Sequence, residues 1–230
     1  MTDLQASQPP PRWPRLLGEM VVVAAGVFLG LAADAAWDAR QDRALEARYL
    51  DGLLAEMRGA REELQLDNNL RSERLRSLEL LQAEFDTRSA PDSLVWAWVN
   101  DGRGSSAFFP PTAVLDDLVS SGNLQLIASD DLRFALMAYA QERPRLRFTE
   151  DREASLVFNE YRPFLLERVS MTRFSPSSDS VDSLLASRTF ENLVTLRLNQ
   201  QRGVLRISGD MSTAIDRVIE LLEADSLSAS

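Results

Sequence analysis

Residues 16–37 read LLGEMVVVAAGVFLGLAADAAW, and from Met20 to Ala33 they run for fourteen residues without a charge. This run limits what the chain can be, because a helix apolar on every side has to be covered by lipid or by other protein. A bilayer core needs about 20 helical residues at about 1.5 Å each. The full 22-residue stretch meets that length by including Glu19 and Asp34. Both lie near its ends, where carboxylates reach the headgroup region. Trp13 and Trp37 bracket it as interfacial aromatic anchors. The favoured reading is a transmembrane helix over residues 16–37. Two others stay open. One is a cleaved signal peptide, with Arg12 and Arg15 as its positive end and Ala33, Asp34 and Ala35 at the cleavage site. The other is a buried helix of a soluble fold.

Within this stretch Glu19, Gly26, Gly30 and Ala33 fall at i, i+7, i+11 and i+14, so they line one side of a helix. Gly26 and Gly30 form a small-xxx-small pair, which lets a second helix approach closely. The expected partners are the lipid bilayer and a second copy or another membrane protein, with these four residues as the helix–helix contact. The competing explanation is that glycine is common in membrane helices and that Glu19 pairs with Arg15. Arg12 and Arg15 on one side, against Arg40, Arg43 and Arg48 on the other, slightly disfavour export of the domain after Trp37. A short tail before a first anchor commonly stays inside, so the C-terminal domain is expected to be extracytoplasmic.

The remaining composition works mainly by exclusion. The net charge is −10 and the pI about 4.7, which argues against nucleic-acid binding, since phosphate contacts need concentrated cations. All 25 basic residues are arginine, and there is no histidine and no cysteine. That excludes Ser-His-Asp and Cys-His nucleophiles, zinc sites built on His or Cys, and disulfides. Any metal site has to be all-oxygen, of magnesium or calcium type. No cofactor is expected.

Taken in order, residues 1–15 are a polar tail rich in proline, with Pro9, Pro10 and Pro11 favouring an extended form. Residues 38–86 contain no proline and consist of good helix formers. Leu50, Leu54, Met57, Leu64, Leu75, Leu78 and Phe85 recur at helical spacing, interrupted by Arg61, Asn68, Arg71 and Gln82. This predicts a long amphipathic helix continuing from the apolar stretch, with Arg58, Glu62, Glu63, Glu73 and Arg76 as a solvated face. A short apolar helix is expected over residues 93–99 and a flexible loop over 100–106. The glycines of that loop have neither the preceding strand nor the lysine of a phosphate-binding loop. Thr112 is expected to cap the next helix and Gly122 to end it; Ser129 caps another, with Asp130 and Asp131 in its first turn. Leu132, Leu136, Tyr139 and Leu146 form the apolar face of that helix, and Pro144 is expected to kink or divide it. Helix is expected again over 149–170 with a break at Pro163, a Ser-rich linker over 174–182, a last helix over 187–224, and a tail over 225–230. Phe190, Val194, Val204, Met211, Ile215, Val218 and Leu222 set the seam of the last helix, and Gly203 and Gly209 are expected to bend it. No segment alternates as a strand does. The fold class is all-α: an N-terminal transmembrane helix running into a long amphipathic helix, followed by a helical bundle over 87–224.

Arg143, Arg145, Arg147 and Arg152 make one basic cluster, expected to pair with Glu142, Glu150, Asp151 and Glu153. The acidic pairs Asp116/Asp117 and Asp130/Asp131 are expected to serve solvation and helix capping, not catalysis. Two stretches carry a resemblance. One is Gly18-Glu19, then the apolar run, then Trp37-Asp38-Ala39-Arg40. The other is PTAVLDDLVSSGNLQLIASDDLRFALMAY, from Pro111 to Tyr139. Together they resemble a family of uncharacterised bacterial single-pass membrane proteins. The resemblance implies a single N-terminal anchor and a helical domain, and it implies no known activity; the expected location is the bacterial inner membrane. The function expected is a membrane-anchored helical interaction or accessory protein without catalysis. The alternative is an extracytoplasmic ligand-binding or sensor module, with a ligand near Trp96, Trp98, Phe108 or Tyr139. A carboxylate-only enzyme comes last, and it requires two acids about 5–9 Å apart in a cleft.

Overall fold

In the computed structural model the described residues are 13–169 and 178–228, with side chains described for Met20, 25–169 and 181–225. No described residue lies in a strand. The elements are α1 (Trp13–Thr87), α2 (Asp92–Asp101), α3 (Ala113–Ser120), a 3₁₀ turn (Asn123–Leu126), α4 (Asp130–Leu156), a π turn (Val157–Tyr161), α5 (Arg162–Arg168), α6 (Ser178–Leu185) and α7 (Arg188–Ser228). The chain divides into two units, Met1–Arg48 and Tyr49–Ser230.

In the first unit the described part is helix. Val27, Phe28, Leu29, Leu31 and Trp37 are all more than half exposed, and Phe28 is 75 % exposed. Among the described residues no helix is long and apolar enough to cross a membrane. Part of the expected span, residues 16–19 and 21–24, lies outside the described side chains. The structure is all-α with a helical bundle, and the described residues do not by themselves show the expected transmembrane helix.

The second unit is built on three helices whose seams alternate in steps of three and four, the spacing that keeps one stripe facing a neighbour. On α1 this stripe is Leu53, Met57, Ala60 and Leu64, then Leu78 and Leu81. On α4 it is Leu132, Leu136, Tyr139 and Leu146, and on α7 it runs from Phe190 through Val194, Val204, Met211, Ile215 and Val218 to Leu222, all buried. These residues form two clusters. One joins Leu53–Leu64 of α1, Leu132–Leu146 of α4 and Val204–Leu222 of α7. The other joins Leu78 and Leu81 with Tyr161, Phe164, Phe190 and Val194. Going from the first cluster to the second, α1 and α4 run the same way and α7 runs back. Arg58–Glu223, Arg61–Asp216 and Arg202–Glu79 mark the antiparallel pairing of α1 with α7.

Parallel neighbours need a connection that returns along the bundle. Residues 88–129 supply it: α2 packs Val95, Trp96 and Val99 into the second cluster, and α3 packs Leu115 and Leu118 into the first. Between them residues 102–108 run past the middle of the bundle.

Several local expectations change. Pro144 neither divides α4 nor ends it; it lies inside that helix. The irregularity comes later, as the π turn at Val157–Tyr161. Pro163 follows it directly, where the π turn passes into α5 without a break. Gly203 and Gly209 sit within α7, which continues through both. Ser178–Leu185 is a helix where a linker was expected, because Val181, Leu184 and Leu185 are buried in the second cluster; residues 174–177 lie outside the described residues. Thr112 stands at the N-cap of α3 without making the cap bond, since its hydroxyl donates to Asp116 Oδ2 at 2.7 Å. Glu56 of α1 does the capping, accepting from the N–H groups of Val114 (2.8 Å) and Leu115 (3.4 Å). Its burial raises its pKa above the usual carboxylate value, against the lowering effect of those bonds. Gly122, at φ 76°, and Ser129, which accepts from Leu132 N–H, act as their positions predict.

Candidate functional site: a buried ionic belt and the groove beside it

Between the two apolar clusters each of the three helices changes character at the same level. The α1 seam places Asp67 and Arg71 there, α4 places Glu150 and Glu153, and α7 places Arg197 and Gln201, all buried. Arg71, Glu153, Arg197 and Gln201 are completely inaccessible to solvent.

A charge buried this deeply is tolerated only if it is paired and its hydrogen-bonding groups are satisfied. Arg71 donates from Nε to Asp67, from Nη1 to Glu153 Oε2 at 3.2 Å, and from Nη2 to Glu150 Oε1 at 2.6 Å and to the Ser106 carbonyl at 2.9 Å. Arg197 donates from Nη1 to Glu153 Oε1 at 3.1 Å, from Nε to the Gly102 carbonyl at 3.2 Å and from Nη2 to the Gly104 carbonyl at 2.9 Å. Glu153 thus bridges the two guanidinium groups with one oxygen each. Gln201 Nε2 donates to the Arg71 carbonyl at 3.1 Å. Asp67, Glu150 and Glu153 balance Arg71, Arg74 and Arg197 in formal charge.

The belt also accounts for residues 102–108. This segment has no helical ladder, so its backbone groups need other partners. Arg197 and Arg71 take the carbonyls of Gly102, Gly104 and Ser106, and Arg162 takes that of Arg103 twice, at 3.0 and 2.8 Å. Glu150 Oε1 accepts from Phe108 N–H at 3.1 Å. The flexible loop expected over 100–106 is a strap held by arginines. Gly102 and Gly104 permit the close approach. A Cβ on Gly102 lies 2.5 Å from the Tyr161 hydroxyl oxygen and 2.9 Å from its Cζ, and one on Gly104 lies 2.7 Å from Arg74 Nε. Tyr161 is fully buried and donates to the Val99 carbonyl at 3.1 Å, so it has no room to withdraw. Gly102→Ala is expected to destabilise the chain by about 1–3 kcal/mol as an overpacking change, read from the urea midpoint. A loss under about 0.5 kcal/mol, the range of ordinary surface substitutions, contradicts this account.

Two groups of the belt are incompletely served. Arg74 Nη1 is buried without a hydrogen-bond partner, and burial lowers its pKa. Glu150 Oε2 is likewise buried and unpartnered. Burial pushes the Glu150 carboxyl up to about 7, and Arg71 and the Phe108 N–H offset this only in part.

Glu150 also lines a groove of about 440 Å³ between the strap and α4. Phe108, Phe109 and Pro110 form one wall; Ala140, Arg143, Pro144, Leu146 and Arg147 of α4 form the other. Arg143 pairs with Asp116 at 3.0 Å. Arg147 pairs with Asp151 at 3.2 Å and lies 4.8 Å over the Phe109 ring.

The expected basic cluster is therefore divided. Arg145 pairs with Glu142, and Arg152 lies over the Phe148 ring, while Glu150 and Glu153 turn inward to Arg71 and Arg197. The aromatic residues named for a ligand divide between the clusters: Trp96 and Trp98 pack in the second, Phe108 and Tyr139 in the first, and Phe108 also lines the groove. Of the residues expected at a membrane helix contact, Gly26, Gly30 and Ala33 are exposed on α1, and a Cβ on either glycine meets nothing within 4 Å. The Glu19 side chain lies outside the described residues. Among the described residues no group of three or more acids is placed to hold a metal ion.

The second unit is thus a helical bundle with a charged layer through its centre and a groove opening on that layer. Compared with protein-family models, with curated proteins and with solved structures, the chain matches none of them significantly.

Proposed function

We propose that the chain is a non-catalytic helical interaction or accessory module, carried at the bacterial inner membrane by a single helix over residues 16–37, with its C-terminal domain extracytoplasmic. The observation that carries this is the outward-facing apolar surface of α1, where Phe28, Leu29, Leu31 and Trp37 are each more than 60 % exposed. Contiguous apolar surface of this kind marks contact with lipid or protein. The uncharged run from Met20 to Ala33 extends it through residues whose side chains are not described. The resemblance to single-pass bacterial membrane proteins points the same way. The second unit supports the non-catalytic part of the reading, because Asp67 and Glu153 are committed to guanidinium partners and Glu150 is the one acid lining the groove.

Carbonate extraction of cell membranes tests the anchor. The full chain is expected to stay in the pellet and a variant lacking residues 1–37 to appear in the supernatant; release of the full chain by carbonate rejects the anchor. A reporter fused after Ser230 that is active only outside the cytoplasm tests the sidedness. Gly26→Leu combined with Gly30→Leu is expected to change self-association or partner recovery in detergent without preventing insertion, because it fills the small-residue face. Unchanged association leaves this helix as a tether alone.

A further inference from the structure

The outer face of α4 holds apolar side chains open to solvent. Phe134 is 75 % exposed, Phe148 is 64 % exposed, and Met137 between them is exposed as well. These three are not scattered. With Asp130, Gln141, Arg145 and Arg152 they follow steps of three and four along α4, and all seven residues are exposed. At about 100° per residue they lie within about 40° of Gln141, on one stripe about 33 Å long. The stripe of Leu132, Leu136, Tyr139 and Leu146, on the opposite side of the helix, is the one that is buried. An exposed apolar stripe bounded by charged residues marks contact with another surface.

The order of residues along the stripe says what covers it. Gln141 stands at its middle. Met137 and Arg145 lie four residues before and after it, Phe134 and Phe148 seven, and Asp130 and Arg152 eleven. A second α4 turned antiparallel about Gln141 therefore meets the stripe position for position. Phe134 faces Phe148 of the second copy, Met137 lies against the aliphatic stem of Arg145, and Gln141 meets itself, amide to amide. At both ends Asp130 faces Arg152, so the charges are complementary. Arg152 lies over the Phe148 ring and, among the described residues, makes no ion pair in its own chain. Asp130 gives Oδ1 to Arg133 and is 73 % exposed. A parallel pair, by contrast, sets Asp130 on Asp130 and Arg152 on Arg152, like charge against like. Four rings of this exposure present on the order of 500 Å² of apolar surface. With the flanking side chains this reaches the lower end of specific interfaces, which suits a reversible dimer with a dissociation constant on the order of 10 µM.

We propose that the second unit pairs with a second copy of this chain through α4, antiparallel and two-fold about Gln141, with Phe134 on Phe148 inside the contact and Asp130 on Arg152 at its ends. The contact is separate from the small-residue face of Gly26 and Gly30 and does not rest on the membrane anchor. None of the seven residues belongs to either apolar cluster, so substitutions on the stripe leave the bundle in place.

The test uses the purified full-length chain in a mild detergent. Sedimentation velocity from about 1 to 100 µM is expected to show monomer and dimer in equilibrium. Phe134→Glu with Phe148→Glu is expected to weaken the dimer about ten-fold or more with the circular dichroism unchanged. Arg152→Asp is expected to weaken it as well, and adding Asp130→Arg, which reverses both ends, is expected to restore it. The chain has no cysteine, so one introduced thiol reports the geometry. Gln141→Cys is expected to give a disulfide-linked dimer on mild oxidation. Ser155→Cys, exposed and fourteen residues further along the same stripe, is not. In the antiparallel pair its two copies lie about 42 Å apart, whereas in a parallel pair they meet. The Gln141→Cys link is expected to persist when Gly26→Leu and Gly30→Leu are added. A monomer at every concentration overturns the proposal, as does unchanged association in the double phenylalanine variant or a charge swap that restores nothing. Ser155→Cys linking as readily as Gln141→Cys overturns it by making the pair parallel. Loss of the Gln141→Cys link on adding Gly26→Leu and Gly30→Leu overturns it by placing the contact in the anchor.

Discussion

Arg71→Met is expected to lower the unfolding free energy of the full-length chain by about 3–5 kcal/mol, the loss seen when one partner of a buried ion pair is removed. Methionine matches the arginine stem in bulk, so little of this is a packing effect. What is lost is the counter-charge to Glu153 and Glu150, and the donor to the Ser106 carbonyl, all in surroundings where water has no access to Arg71 or Glu153. Arg197→Met is expected to cost a similar amount, since Arg197 supports Glu153 and two strap carbonyls. Urea denaturation followed by circular dichroism reads both. Arg58→Met provides the control. Its pair with Glu223 is half exposed on both sides, so its loss is expected to be under about 1 kcal/mol. If Arg71→Met and Arg58→Met cost the same, the belt is not the central tie of the bundle. The double variant Arg197→Met with Glu153→Met is expected to cost clearly less than the sum of its single changes. Removing both charges leaves neither stranded, and residues in one network couple by about 0.5–3 kcal/mol.

The second large effect is on the pH dependence of stability. The Glu150 carboxyl is raised in the folded chain from 4.5 to about 7, with burial as the main cause. Between these values the folded state holds a proton that the unfolded state has released. Folding therefore takes up a proton, and this contribution to stability declines as the pH rises from about 4.5 to about 7, then stays level. At about 1.4 kcal/mol per pKa unit the decline is on the order of 3 kcal/mol. Glu84 and Asp116 act in the opposite sense. Hydrogen bonds hold both carboxyls below the usual value, led by the Ala90 N–H for Glu84 and the Thr112 hydroxyl for Asp116, and their contributions are lost as the pH falls. The informative quantity is accordingly a difference. Unfolding free energies of the unaltered chain and of Glu150→Gln, measured from pH about 4.5 to 8, are expected to converge in shape except for the falling limb that Glu150 supplies. Parallel curves for the two proteins count against a raised Glu150.

Much of the helical architecture was legible because helix signals are local. Ser129 caps its own helix, Gly122 takes the left-handed conformation, and the seam from Phe190 to Leu222 repeats within α7. The errors arose where a local signal was read without its surroundings. Of the two outcomes expected at Pro144, a kink or a division, the division does not occur, because neighbouring turns of α4 hold the helix through it. Residues 178–182 looked like a linker, yet Val181 and Leu184 anchor them as helix. Residues 100–106 looked flexible because the arginines that hold their carbonyls are remote in sequence.

The central layer was half visible. Arg71 stood out as an interruption of the α1 seam, and Arg197 and Glu153 occupy seam positions of their own helices. A charged residue at a seam position, on three helices in turn, was the available signal. The partners were not available from it. Arg71 is 79 residues from Glu150, and Gln201 is 130 from Arg71. The sequence by itself determined which residues form helices, which face of each is apolar, and where the fourteen-residue uncharged run lies, because propensity, capping and 3–4 periodicity act within a few residues. The tertiary structure alone decided that α1 and α4 run parallel with α7 reversed. It thereby brought three interrupted seams to one level and opened the groove on Glu150, because register between helices is set by packing across the whole bundle.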